Sequence, residues 1–177
     1  MQAKLTGESA SVSSIHYLRG TSANDILNLN AIHFAGSCIM AFRNKVRVKL
    51  QDTDAAGILF FASQLIYAHE TFEKFMEQIG FDVPRILKDE SYILPIVHAD
   101  ADYSRPLGVG DRLEIELIVA EIGNTSFTLN YFVRKEDGSD VGSCRTVHVT
   151  IDKNNRKKIP LPTELRQALE KHGSKQD

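Results

Sequence analysis

The chain has no tryptophan and only two cysteines, Cys38 and Cys144. Far apart and outside any metal-ligand or redox spacing, they give no disulfide framework and read as reduced thiols of a cytoplasmic protein. An excess of positive charge is missing too. The net charge of −2 leaves no electrostatic footprint for nucleic acid, and no nucleic-acid partner is expected. No apolar run approaches the roughly 20 residues that cross a bilayer, so membrane insertion is not expected. The histidines form no His-x-x-x-His or His-Glu-x-x-His pair, no Gly-x-Ser-x-Gly elbow occurs, and no glycine-rich nucleotide loop is present. These gaps argue against a metal site, a serine hydrolase and a bound nucleotide cofactor; no metal and no cofactor are expected.

What remains is an ordinary globular composition. Across 177 residues, 42% are apolar and 25% charged, enough for one domain with its own core. Residues 1–42 stand apart. Ser, Ala and Asn are frequent in them, no period runs through them, and the apolar run from Ala35 to Phe42 is too short for a good signal peptide. They read as an extension, poorly ordered, with residues 1–39 dispensable and Met40 just ahead of the first strong strand. An organelle-targeting segment is the rival reading. The domain itself is expected over residues 43–177.

From Asn44 onward the patterns sharpen. Val46, Val48 and Leu50 alternate with Lys45, Arg47, Lys49 and Gln51, a strand with a basic outer face. A turn-rich stretch follows, Asp52 to Gly57. Leu65, Ala68, Phe72, Phe75, Met76 and Ile79 then recur at helical spacing, with Ser63 placed to cap the helix and Gly80 to end it. This predicts the one long helix, buried against a sheet. Four alternating segments come next, around Val97–Tyr103, Leu113–Val119, Phe127–Val133 and Val147–Ile151. The last three are joined by short, turn-forming links that make antiparallel neighbours. Thr163 to His172 reads as a short final helix capped by Thr163. The fold class is therefore α+β, one antiparallel sheet with one long buried helix.

The run Asp52-Thr53-Asp54-Ala55-Ala56-Gly57-Ile58-Leu59-Phe60-Phe61 resembles the active-site signature of the 4-hydroxybenzoyl-CoA thioesterase family: Asp-x-Asp-x-x-Gly, apolar and aromatic positions, then the central helix. The resemblance extends from about Val46 to about Pro162. It implies the hotdog fold, a curved antiparallel sheet wrapped around one long helix. Within that family the closest likeness is to 1,4-dihydroxy-2-naphthoyl-CoA hydrolases of quinone biosynthesis, carried by His69-Glu70, by Leu94 to Ala99 and by Arg156 to Pro162. The implied activity is hydrolysis of an aromatic acyl-CoA, with 4-hydroxybenzoyl-CoA or short-chain acyl-CoA as the alternatives. A hotdog hydratase and a non-catalytic acyl-CoA-binding module are the rivals from other classes. The acyl-CoA substrate and further copies of the chain, as a dimer or tetramer, are the expected partners.

Hydrolysing a thioester requires a nucleophile or base and donors for the oxyanion that develops. Asp54 matches the family's catalytic carboxylate, attacking directly or activating water. By residue chemistry alone it would be a turn residue bonding nearby N–H groups. Asp52 is its neighbour and is read as holding the loop. Gly57 lets the backbone pass close to substrate. Phe61 matches the position whose backbone N–H serves the oxyanion at the helix mouth. Glu70 is the alternative carboxylate on the helix and a candidate for substrate binding, although it and Glu73 equally suit a solvated face. His98 could bond a hydroxyl of an aromatic acyl group. Arg105 and the cluster Lys153, Arg156, Lys157 and Lys158 could meet CoA phosphates or merely be solvated.

Overall fold

The computed structural model describes residues 31–34 and 37–173, with side-chain environments from Met40 onward. A hairpin of β1 (Ala31–Phe34) and β2 (Ser37–Met40) precedes β3 (Phe42–Arg47). Two helices follow, α1 (Phe61–Gln78) and α2 (Val83–Asp89). Then come β4 (Tyr92–Ile93), β5 (Ile96–Tyr103), β6 (Arg112–Ile122), β7 (Ser126–Lys135), β8 (Asp140–Val149) and β9 (Ile151–Asp152), and finally α3 (Thr163–Glu170). The reading of residues 1–42 as an extension lies mostly outside the described residues; the described part of it holds β1, β2 and the first residue of β3.

Five strands form one antiparallel sheet in the order β3-β6-β7-β8-β5, and β4 pairs with β9 beside it. Alternation places Leu113, Ile115, Leu117 and Val119 of β6, with Phe127, Leu129, Tyr131 and Val133 of β7, on the buried face. Across from them α1 presents Ala68, Phe72, Phe75 and Met76, spaced to share one face of a 3.6-residue period. Because α1 touches β3 and β5, the two edges, as well as β6 and β8, the sheet must curve around it. This is the hotdog arrangement. Leu165 and Leu169 of α3 are fully buried, and α3 closes the core where it packs on β6.

Several local expectations need correction. The first strand ends at Arg47, and Leu50–Asp52 form a 3-10 turn that leaves Leu50 76% exposed. The chain tightens there because the Asp52 carboxylate accepts the Lys49 N–H at 2.8 Å. Ser63 does not cap α1. The helix starts three residues earlier than that cap would set it, with Phe60 as its N-cap, and the Ser63 hydroxyl donates instead to the Asp52 carbonyl at 3.0 Å. The other end is where expected: Gly80 N–H reaches Glu77 O and Phe81 N–H reaches Met76 O. For α3 the N-cap is Pro162 rather than Thr163, and the helix ends at Glu170 rather than His172. The unexpected α2 carries its own signals, an Asp82 cap whose carboxylate accepts Arg85 N–H and Pro84 in its first turn. Finally, β8 turns its polar side inward: Thr146 and His148 are buried whereas Val147 is only half-buried.

Candidate active site

The segment between β3 and α1 folds back on itself. Asp54 N–H donates to Ile58 O at 2.8 Å and Gly57 N–H to Asp54 O at 3.0 Å, while Thr53 bridges to Leu59. Gly57 has φ +76°, a left-handed value that a side chain makes costly. A Cβ there would meet open space within the chain, so the turn conformation is what the fold itself demands of this glycine. The loop leans on the segment after β5, where Leu59 N–H donates to Leu107 O and Ile58 bridges Gly108.

Asp54 lies exposed on this loop. Its Oδ1 accepts Ala56 N–H at 2.8 Å and, more distantly, Ile58 N–H at 3.4 Å. Its Oδ2 has no partner among the described residues. One oxygen is thus oriented by the turn. The loop then feeds directly into α1, whose first N–H groups have no intrahelical acceptor and carry the positive end of the helix dipole. Phe61 is the first residue of that helix, 64% exposed, with its ring 4.5 Å from that of Phe60. A carboxylate and a set of oriented N–H donors on adjoining turns are the two parts an acyl transfer requires.

The head of α1 is tied to the sheet by polar bonds. Tyr103 at the end of β5 donates its hydroxyl to Phe61 O at 2.8 Å. Gln64, fully buried, donates Nε2 to Asp102 O of β5 and Ser143 O of β8, both at 3.0 Å. That approach needs Gly142, where a Cβ would fall 2.5 Å from Asp102 O and under 3 Å from the Gln64 amide. Tyr67 donates to Asp52 Oδ2 at 2.6 Å. Burial and the adjacent Asp52 raise the Tyr67 pKa well above the ordinary phenol value. Burial likewise raises that of Tyr103. Apart from Phe61, only Asp52 of these residues was singled out from sequence, as the residue holding the loop. Of the others, Gln64 left a trace, as a polar side chain on the inward stripe of the helix.

The sequence-expected residues divide into two groups. Asp54, Gly57 and Phe61 come together, and Arg105 follows β5 in the segment the loop leans on, its N–H donating to Val141 O. Glu70 and His98 sit elsewhere in the chain. Glu70 lies nine residues into α1, about 14 Å along its axis from Phe61, on an exposed face where it pairs with Lys74 at 2.7 Å. Lys74 also reaches Asn44 Oδ1. His69 pairs with Glu73 beside it. His98 is exposed on β5, bonded to Asp100 at 2.8 Å, and about 17 Å up the strand from Tyr103. Of the basic cluster, Lys153 is committed inward: its ammonium bonds the carbonyls of Ile86, Leu87 and Glu90 at the end of α2.

The site can now be set beside known proteins. Residues 48–169 match the family model described as the thioesterase-like superfamily. The chain belongs to that superfamily. Among curated relatives, the 1,4-dihydroxy-2-naphthoyl-CoA hydrolase of Nostoc punctiforme is 40% identical over 131 residues, covering 74% of this chain and 88% of the relative. The protein of that name from Rippkaea orientalis is 38% identical over 124 residues, covering 69% and 90%. Among solved structures, Slr0204, a 1,4-dihydroxy-2-naphthoyl-CoA thioesterase from Synechocystis, superposes with a TM-score of 0.70 at 31% identity, over 73% of this chain and 95% of that one. The gentisyl-coenzyme A thioesterase BH1999 gives 0.66 at 28% identity, over 72% and 99%. Among the described residues no helix is long and apolar enough to cross a membrane.

Proposed function

We propose that the protein hydrolyses an aromatic acyl-CoA thioester, 1,4-dihydroxy-2-naphthoyl-CoA first of all, with Asp54 as the reacting carboxylate. The observation that carries this reading is Asp54 on a loop that opens straight into the N-terminus of α1, in a chain 38–40% identical to hydrolases of that name. In the proposed geometry the thioester oxygen faces the Phe61 N–H. As the carbonyl carbon becomes tetrahedral, charge grows on that oxygen, and the helix start stabilises it. Asp54 Oδ2 either attacks the carbon or takes a proton from the attacking water. The C–S bond then breaks, CoA leaves as the thiolate and is protonated, and water supplies the oxygen of the free acid.

The assembly is proposed to be a dimer or a tetramer built from dimers. Among the described residues the outer edge of β5 has no neighbouring strand, and Ile58, Phe60, Phe61, Val97 and Tyr103 leave apolar surface exposed around it and the loop. An unpaired edge with an apolar border is costly to leave in water and is covered by a two-fold copy of itself. Such pairing would bring His98, which lies on this strand, into the interface, where it can meet substrate.

A hydrolysis screen with free-thiol detection over 1,4-dihydroxy-2-naphthoyl-, 4-hydroxybenzoyl- and short-chain acyl-CoA tests the proposal. The naphthoyl thioester is expected to give the highest kcat/KM. Asp54→Asn keeps the size of the side chain but gives a poor nucleophile and a poor base, so kcat should fall on the order of 100-fold or more. Binding of a non-hydrolysable CoA thioether should persist. Glu70→Gln, the paired control, should lose less; loss there with normal turnover in Asp54→Asn would move the reacting carboxylate onto the helix.

A further inference from the structure

Asp52, two residues before Asp54, is the junction between the loop and α1. Its backbone carbonyl accepts Phe60 N–H at 2.9 Å and the Ser63 hydroxyl at 3.0 Å. Its Oδ2 accepts Lys49 N–H at 2.8 Å and the Tyr67 hydroxyl at 2.6 Å. One residue thus joins the arm that carries Asp54 to the first two turns of α1, where the oxyanion donors lie.

Of these partners, Tyr67 is the one anchored in the core. It is 6% exposed within the apolar core and, like the buried Ser63, belongs to α1 rather than to the loop. Its carbonyl accepts the Thr71 hydroxyl at 2.8 Å, and Thr71 in turn accepts from Asn44 of β3 at 3.0 Å. The phenol therefore hangs from a backbone tied both to the helix and to the sheet, and it reaches back along α1 to the loop. A short, charge-assisted bond from a neutral donor to a carboxylate is among the stronger side-chain bonds, and its direction fixes the acceptor in angle as well as distance.

We propose that Tyr67 is a positioning residue for the reaction, setting Asp54 against the head of α1 through the Asp52 carboxylate. The proposal rests on Asp54 as the reacting group. It gives the first aspartate of the Asp-x-Asp pair a distinct duty: Asp54 meets the thioester, while Asp52 is turned inward and held by the helix it serves. The phenol remains a donor because burial and the Asp52 charge keep its proton on. Turnover is sensitive to this arrangement since a misplacement of about 1 Å can cost on the order of 100-fold in rate.

The test compares steady-state kinetics on a CoA thioester for the wild type, Tyr67→Phe, Asp52→Ala, Asp52→Asn, the double variant Tyr67→Phe/Asp52→Ala and Asp54→Asn, with melting curves for each. Tyr67→Phe removes one buried hydroxyl and should lower kcat about 10-fold while KM stays within about two-fold, because the loop shifts but the substrate surface does not. In the Asp52→Ala background the same change should add less than about two-fold, since the acceptor it acts through is gone. Asp52→Asn keeps an oxygen that can accept both bonds and should recover most of the rate lost in Asp52→Ala. Tyr67→Phe with unchanged kcat, an effect that multiplies fully with Asp52→Ala, or Asp52→Asn as slow as Asp52→Ala would each overturn the proposal. If Tyr67→Phe fails to fold, the two Asp52 variants decide. Near-normal turnover in Asp54→Asn would remove the group to be positioned and sink the site assignment along with the inference. Normal Tyr67→Phe beside an inactive Asp54→Asn would sink the inference alone.

Discussion

Acid should destabilise this protein through one histidine far from the candidate reacting carboxylate. His148 on β8 is fully buried, with its ring between Phe72 of α1 (centroids 4.3 Å apart) and Phe127 of β7 (4.9 Å, planes within 1°). Its Nε2 meets the Thr146 hydroxyl at 3.0 Å, and that hydroxyl meets Tyr131 at 3.1 Å. Its Nδ1 is buried without a hydrogen-bond partner among the described residues. Desolvation disfavours the imidazolium here; the Leu94 backbone opposes this, and His69 adds a smaller push the same way as desolvation. The pKa is pushed down from 6.5 to about 4. The folded state therefore keeps His148 neutral in a range where the unfolded chain binds a proton. Stability is complete above pH 6.5, falls as pH drops from 6.5 toward 4, and loses nothing further from this group below that. The full window corresponds to about 3 kcal/mol, of which about 2 kcal/mol falls between pH 7 and pH 5. For a domain of this size that is a drop in Tm of about 4–8 °C. Melting curves of wild type and His148→Phe at fixed protein concentration isolate it, because the phenylalanine fills the aromatic slot without titrating. The wild type should lose more Tm between pH 7 and pH 5 by about that amount. Parallel pH profiles for the two proteins would refute the reasoning.

Three further outcomes follow from the packing. Phe75→Ala empties a fully buried site facing the sheet and should cost about 3–5 kcal/mol, read as a lower denaturation midpoint with an unchanged m-value. Gly142→Ala places a methyl group 2.5 Å from Asp102 O and against the Gln64 amide, so it should cost about 1–3 kcal/mol and lower kcat as the head of α1 shifts; an unchanged melting curve would mean that β5 and β8 part easily there. Sedimentation should show a dimer or tetramer at working concentration, and Val97→Lys on the β5 edge should shift it toward monomer; a stable wild-type monomer would refute the pairing.

The central strands were legible because their two faces meet different surroundings. Leu113 to Val119 and Phe127 to Val133 alternate in sequence and are buried on the same beat, since one face meets α1 and the other does not. On β8 the beat is present but the sense is reversed. Thr146 and His148 can go inside because the Thr146 hydroxyl bonds both the His148 Nε2 and the Tyr131 hydroxyl, which no alternation pattern can announce. Nearly all of β5, an edge strand among the described residues, is exposed, so its alternation corresponds to no buried face among them. Leu50 continues an apolar rhythm but faces water, since a carboxylate bond local to Asp52 overrides it. Asp54, Gly57 and Phe61 were legible together because a single loop and helix start contain all three. Tyr103, brought to Phe61 across 42 positions, carries no local signal at all.

The two ends of α1 are held by different forces, and the difference suits the chemistry proposed at its head. Toward the tail, Phe75 and Met76 are completely buried, and apolar contact, which has little directional preference, fixes the helix against the sheet. At the head, Phe61 is exposed and apolar burial supplies little. Directional bonds take over there: Gln64 to two strands, Tyr103 to the Phe61 carbonyl, Ser63 and Phe60 to Asp52, and Tyr67 to the Asp52 carboxylate. Covering the head with apolar side chains would have hidden the free N–H groups from any substrate. Bonding its carbonyl, side-chain and neighbouring loop atoms instead leaves those N–H groups open while restricting the angle at which they point. Oxyanion stabilisation depends on that angle more than on the strength of attachment, because donors already aimed at the developing charge need no reorganisation when the charge appears.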